Sequence, residues 1–480
     1  MKLTKKTAGL VLGPLVFFIA LIFPSESLST DAWKVICVAA FMLVWWISEA
    51  VPIPVTALLP VLLLPWLDVM PIKEAAAPYA SDIVFLFLGG FMLALALEKW
   101  NLHRRIALGI VRITGTGANR IILGFMLATA ALSMWISNTA TAVMMLPIAI
   151  SVVNLLLKDE ESTSKGVRNF ALVLMLGIAY GANVGGIATL IGTPPNIVMA
   201  GILKTNHGID VTFFSWMKVG FPFSMVMLFV TYWMLTHVLF PNKLGSFKKA
   251  EKIIDQEIKA LGPLTHQEVR VMVIFIATAL LWIFRKTINE NLTFVELSDA
   301  GIAILATVML FVVFAGTKKE KALLAWKDTE KLPWGILLLF GGGLSLANAL
   351  NVVGLIDLIG ESFTGLGDVN PIWIILGLAA VSLFLTELMS NVALTSVFVP
   401  VVAAVAIGVG QDPLDYAVPV TLAASCAFML PMSTPPNAIV FASGHISVAQ
   451  MVRGGIVLNI VAILMIWAFC TYVFPLLMHT

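Results

Sequence analysis

Long apolar stretches separated by short polar ones organise this chain. Runs close to the roughly 20 residues that an α-helix needs to cross a bilayer lie at about 8–23, 31–48, 51–67, 82–98, 168–190, 217–240, 267–284, 298–315, 333–350, 414–432 and 454–476. They predict about eleven membrane-crossing helices. Two further segments, 119–156 and 371–409, are too long for one crossing, and each carries a Ser-Asn cluster near its middle. Each is expected to be a re-entrant helical hairpin with its tip at membrane depth, because irregular backbone is tolerated there only when protein encloses it. Segments 168–204 and 414–443 each contain Thr-Pro-Pro-Asn and are expected to be broken helices. A proline offers no amide hydrogen and disfavours a helical residue before it. The expected fold is an all-α polytopic membrane protein.

The polar interruptions recur in one order. Phe87-Leu88-Gly89-Gly90 returns as Leu339-Phe340-Gly341-Gly342, Ser137-Asn138-Thr139 as Ser390-Asn391-Val392, and Thr193-Pro194-Pro195-Asn196 as Thr434-Pro435-Pro436-Asn437. One Ser-Asn-Thr in an apolar segment is more often a helix cap or an interhelical hydrogen bond than a site, and one Pro-Pro is usually a kink. Joint recurrence at corresponding places in two halves is the sequence mark of a duplicated secondary transporter. The halves are 1–240 and 267–480. The stretch 241–266 mixes lysines with Glu251, Asp255 and Glu257 and reads as a solvated connection.

Charge gives the expected orientation. Lys99, Arg104, Arg105, Arg112 and Arg120 stand before the first hairpin with no acidic residue among them. Lys243, Lys248, Lys249, Lys252 and Lys259 fill the connection, and Lys318, Lys319, Lys321, Lys327 and Lys331 precede the ninth span. The loops around the second hairpin hold Asp357, Glu361, Asp368, Asp412 and Asp415 and no Lys or Arg. The positive-inside rule makes the first three groups cytoplasmic and the last external. It also places the N-terminus inside and the C-terminus outside. Five crossings separate the two hairpins, and an odd number puts them on opposite faces, so the repeats are expected to be inverted.

Composition agrees with a membrane protein: 60% of residues are hydrophobic and 12% charged, and the mean hydropathy is +0.99. A net charge of +2 gives no reason to expect nucleic acid as a partner. Cys37, Cys426 and Cys470 are scattered and form no disulfide or metal spacing. Lys2, Lys5 and Lys6 before an apolar run resemble a signal peptide, but no small-residue cleavage site follows, so a retained first helix is expected. No P-loop is visible, and no catalytic acid pair or acid-histidine pair stands at the midplane, so neither ATP-driven pumping nor an enzyme is expected.

A hairpin tip leaves unpaired carbonyls on one arm, which suit a cation, and unpaired amides on the other, which suit an anion. Ser137, Asn138, Thr139, Ser390 and Asn391 add hydroxyls and amides there. The breaks free carbonyls near Gly192 and Ser433, and Gly181, Gly185 and Gly186 allow close backbone approach. No Lys or Arg lies deep in any span. An anion bound at the midplane therefore has no fixed basic partner, and co-bound cations would supply the missing charge. Glu387 falls inside the second hairpin, where an intramembrane carboxylate is functional by default. A structural hydrogen bond to the hairpin backbone is the equal alternative, and its counterpart in the first half is Met134. Glu49, near Pro52, reads as a helix-end residue.

At these residues, and at Trp45-Trp46 through Pro60, Phe87 through Ala107 and Gly181 through Asn196, the chain resembles the divalent anion/sodium symporter family. The resemblance implies an inverted-repeat fold with two re-entrant hairpins, usually a homodimer in the plasma (inner) membrane, whose transport domain moves like an elevator past a scaffold. It implies sodium as coupling ion, a small dicarboxylate as substrate, and no organic cofactor. Carried over by motif, one sodium site would use Ser133, Ser137, Asn138 and the backbone at Gly192. The other would use Thr386, Asn391 and backbone near Met389 and Ser433. The substrate would meet Asn138, Thr139, Asn391, Thr193, Thr434 and Pro435. Many dicarboxylate carriers of this family have Thr where this chain has Val392, which removes one hydroxyl from the substrate site. A sodium-independent dicarboxylate exchanger and an anion channel remain as alternative readings.

Overall fold

A computed structural model describes residues 5–157, 164–245, 248–292, 296–316, 320–363, 365 and 369–478. Lys2, Lys318, Lys319 and Asp368, used above to orient the chain, lie outside the described residues. Helices carry the fold throughout. Among the described residues, eight are long and apolar enough to cross a membrane: Thr30–Ser48, Ile72–Lys99, Lys165–Gly186, Phe213–Leu239, His266–Asn291, Trp334–Val352, Asn391–Gly408 and Val448–Met478. Polar caps start several of them. Thr265 and Glu268 form a reciprocal capping box at the head of His266–Asn291, satisfying two otherwise orphaned amides.

Two local expectations change. Residues 51–67 do not form one continuous helix but two short ones, Ile53–Thr56 and Leu59–Trp66. Pro60 at the second position of the latter has no amide to bond back across the junction. The connection 241–266 is not merely solvated, because Lys248–Ala260 is a helix packed on Leu102–Thr114. That second helix, like Leu355–Ser362, is amphipathic and escaped a search for apolar runs. Glu49 caps Thr30–Ser48 in a left-handed conformation, the helix-end role expected of it.

Two helical hairpins and two broken helices stand where the polar clusters fall. Ala118–Ser133 and Asn138–Leu157 are joined by residues 134–137, and Pro371–Thr386 and Asn391–Gly408 by residues 387–390. Lys165–Gly186 gives way to Pro194–His207 across residues 187–193. Pro413–Ala424 gives way to Pro435–Phe441 across residues 425–434. Each proline pair sits in the first turn of its new helix, where a missing amide costs nothing. The halves interlock: Pro194–His207 packs on Asn391–Gly408, and Pro435–Phe441 packs on Asn138–Leu157 and Lys165–Gly186. Lys165–Gly186 lies so close to the first hairpin that a Cβ on Gly181 would come within 3.0 Å of the Met126 carbonyl oxygen.

The cations before the first hairpin do not stand alone. Lys99 pairs with Asp328 at 2.7 Å and Glu320 at 3.1 Å, Arg104 with Glu257 at 3.0 Å, Arg105 with Glu268 at 2.7 Å and Arg112 with Asp255 at 3.4 Å. The acidic partners come from distant connections at the same end of the molecule.

Candidate functional site

The two hairpin tips and the two breaks meet around a single cavity of about 840 Å³. Ser137, Asn138 and Thr139 line it from the first hairpin, and Met389, Ser390, Asn391 and Val392 from the second. Gly192 and Thr193 face it from the first break, and Ser433, Thr434 and Pro435 from the second. Every expected site residue therefore lies on this cavity except Ser133 and Thr386, which are buried immediately behind the two asparagines. The Phe-Gly-Gly pairs serve packing. Phe87 meets Phe340 edge-on with ring centroids 4.9 Å apart, and Gly342 admits the Ala57 backbone.

Behind each tip sits the same cluster of oxygens. Ser133 Oγ lies 2.5 Å from Asn138 Oδ1 and 2.8 Å from the Ala182 carbonyl oxygen. Thr386 Oγ1 lies 2.8 Å from Asn391 Oδ1 and 2.9 Å from the Ala424 carbonyl oxygen. A hydroxyl owns one proton and can satisfy only one of two acceptors. In the first cluster the Asn138 amide also comes within 3.2 Å of the Gly192 carbonyl oxygen and 3.3 Å of that of Ala182. Turned with nitrogen there, it donates to them and to Ser133 Oγ, whose own proton is then left for the Ala182 carbonyl. Turned with oxygen there, it leaves four oxygens facing one another, which a cation reconciles. Gly186 keeps the space open, since a Cβ there would lie 2.7 Å from Asn138 Oδ1 and 3.0 Å from the Gly192 carbonyl oxygen. An all-oxygen set of hydroxyl, amide and carbonyl groups fits a hard cation such as sodium, and Ser133, Asn138, Ala182 and Gly192, or Thr386, Asn391 and Ala424, would hold it.

The cavity suits an anion. Asn138–Leu157 and Asn391–Gly408 begin at its wall, as does Pro194–His207, whose two leading prolines offer no amide but whose dipole has its positive end there. Lys6 and Glu49 are the charged residues of its lining, 3.8 Å apart and largely exposed at its rim. Ser137 Oγ accepts from the Ala140 amide and caps the first of those helices. Thr434 Oγ1 accepts from the Asn437 amide.

Several groups that shape the site were not among the expected ligands. The Ala182 and Ala424 carbonyls belong to residues whose side chains say nothing. Asn196 Nδ2 donates to the carbonyls of Gly186, Ile187 and Thr189, and Asn437 Nδ2 to those of Ala427 and Leu430. The last letter of Thr-Pro-Pro-Asn thus ties down the loop that precedes it in each half. Tyr180 donates to the Phe428 carbonyl at 2.6 Å, and Asn183 donates to Thr434 Oγ1 at 3.1 Å, joining the first broken helix to the second break. Glu387 does not bond the hairpin backbone but the amides of the second break.

A bundle of membrane-length helices whose broken segments enclose a polar, oxygen-lined centre defines a polytopic membrane transporter. The chain belongs to the sodium:sulfate symporter family, whose transmembrane region it matches over residues 4–479. It is 39% identical over 463 residues to the sodium-dependent dicarboxylate transporter SdcS of Staphylococcus saprophyticus, covering 95% of this chain and 89% of that protein. With SdcS of Staphylococcus aureus strain RF122 it shares 38% identity over 475 residues, 98% of this chain and 91% of that protein. In fold it is similar to the Alcanivorax borkumensis YdaH transporter, with a TM-score of 0.60 at 12% identity, over 86% of this chain and 90% of the other.

Proposed function

We propose that this protein is a secondary active carrier that moves small dicarboxylates of the succinate, malate, fumarate and 2-oxoglutarate class across the membrane together with sodium. The observation that carries this reading is the pair of corresponding clusters of hydroxyl, asparagine amide and backbone carbonyl groups on either side of one cavity bordered by helix N-termini. Sodium in the clusters would provide the positive charge that the deep part of the cavity lacks, and the two carboxylates would meet Asn138, Thr139, Thr193, Asn391, Thr434 and Pro435. The names of the SdcS relatives support both the sodium and the dicarboxylate.

In the same reading the two hairpins are re-entrant and enter from opposite faces, the halves are inverted repeats, and the chain works as a homodimer by an elevator motion. With the basic loops cytoplasmic, Lys6 and Glu49 lie on the cytoplasmic side, and the cavity they border opens inward. The N-terminus is then inside and the C-terminus outside.

Radiolabelled succinate uptake into proteoliposomes tests the reading, with and without an inward sodium gradient and with and without internal succinate. Uptake that requires sodium and no internal substrate is expected. Uptake that requires internal dicarboxylate and ignores sodium would replace symport with exchange. Large single-channel currents would replace both with a channel.

A further inference from the structure

The two clusters share a hydroxyl, an asparagine amide and an alanine carbonyl, and differ in what stands behind them. Glu387 follows Thr386 in the chain and is 1% exposed. Its Oε1 accepts from the amides of Phe428 at 2.9 Å and Met429 at 2.8 Å and from Asn459 Nδ2 at 2.8 Å. Its Oε2 accepts from the Leu430 amide at 3.1 Å and from the Ser433 hydroxyl. All five partners are neutral donors, so the carboxylate gathers the amides of the second break and brings a negative charge that none of them cancels.

The first half makes the corresponding link with one neutral bond, from Thr189 Oγ1 to the Met134 carbonyl oxygen at 2.5 Å. Met134 occupies the position of Glu387 and offers no charge. We propose that Glu387 is a positioning residue that fixes the second break against the second hairpin and, through its charge, makes the Thr386–Asn391–Ala424 cluster the tighter of two unequal sodium sites. A negative charge in a low-dielectric surrounding favours a nearby cation strongly. The Ser433 hydroxyl, on the cavity wall, lies within hydrogen-bond reach of both Glu387 and the Leu430 carbonyl oxygen. The inference rests on the sodium reading given above.

Its test is the melting temperature of the purified full-length protein in detergent, without substrate, titrated with sodium chloride against choline chloride at constant ionic strength. Wild type is expected to be stabilised by sodium in two phases. Glu387→Gln keeps the shape, removes the charge and sets an amide nitrogen among donors. It is expected to raise the sodium concentration of the tighter phase about tenfold or more, while Glu387→Asp, which keeps the charge, stays closer to wild type. An unchanged tighter phase in Glu387→Gln overturns this inference and leaves the sodium reading standing. No sodium response in wild type overturns both. Should Glu387→Gln fail to fold, Asn138→Ala and Asn391→Ala decide: the tighter phase is expected to survive the first and vanish in the second, and the reverse overturns the inference.

Discussion

Ser133 and Thr386 each stand between an asparagine side-chain amide and a backbone carbonyl oxygen, and the chemistry of the site lies in those groups. The hydroxyls and amides of the Ser-Asn clusters were legible in the sequence because they interrupt apolar runs. The carbonyls of Ala182 and Ala424 were not, since every residue carries one and only the local path of the helix end aims it. Asn183 was equally hidden: one polar residue in an apolar helix gains meaning only when the second break packs against it. Gly186→Ala puts a methyl group against Asn138 Oδ1 and the Gly192 carbonyl oxygen. It is expected to abolish most sodium-driven succinate uptake while surface expression persists, checked by transport and immunoblot on the same cells. Asn138→Ala and Asn391→Ala each remove one amide oxygen from a cluster, and in each a loss of at least about tenfold in uptake is expected, with near-wild-type transport in both refuting the site. Val392 lines the cavity and is largely buried. Val392→Thr should therefore change the order in which dicarboxylates compete for uptake more than it changes maximal rate, as a competition series would show.

Among the elements, the breaks were the most legible, because two prolines in succession leave a helix few ways to continue. Residues 51–67 looked like one continuous helix because their composition is uniformly apolar, and only the missing amide at Pro60 divides them. Leu102–Thr114 and Lys248–Ala260 went unread for the opposite reason: they are amphipathic, and their polar faces spend their charges on each other. Arg104 and Arg112 of the first reach Glu257 and Asp255 of the second, which no spacing along the chain reveals. Arg105 goes further, donating to both oxygens of Glu268, which is 2% exposed, and to the carbonyls of Leu261, Gly262 and Pro263. Arg105→Ala leaves that carboxylate buried without its partner. A loss on the order of 2–3 kcal/mol is expected, at the lower edge for a buried pair because Arg105 is partly solvated. A lowered melting temperature in detergent with an unchanged succinate half-saturation in the surviving protein would confirm a structural role.

For the molecule as a whole, the recurrence of the motifs was legible in their order, but the way the elements that carry them pack on one another was not. Cys37, Cys426 and Cys470 are all buried, which makes the chain silent toward a membrane-impermeant maleimide. Leu388, at the second hairpin tip, is 64% exposed and lines the cavity. Leu388→Cys is expected to label from the cytoplasmic side in inside-out vesicles and to be protected by sodium with succinate; labelling only from the outside would reverse the proposed orientation of the opening. The ties from Tyr180 to Phe428 and from Asn183 to Thr434 have a consequence for how such an opening can change sides. They are buried bonds across the very place where two halves of a clamshell would have to part, and water cannot enter to replace them. Parting there would sever them and the second break with them. In the elevator reading proposed above, the fault line of the molecule would run elsewhere, and whatever is bound between the tips would travel with its binding groups as one body.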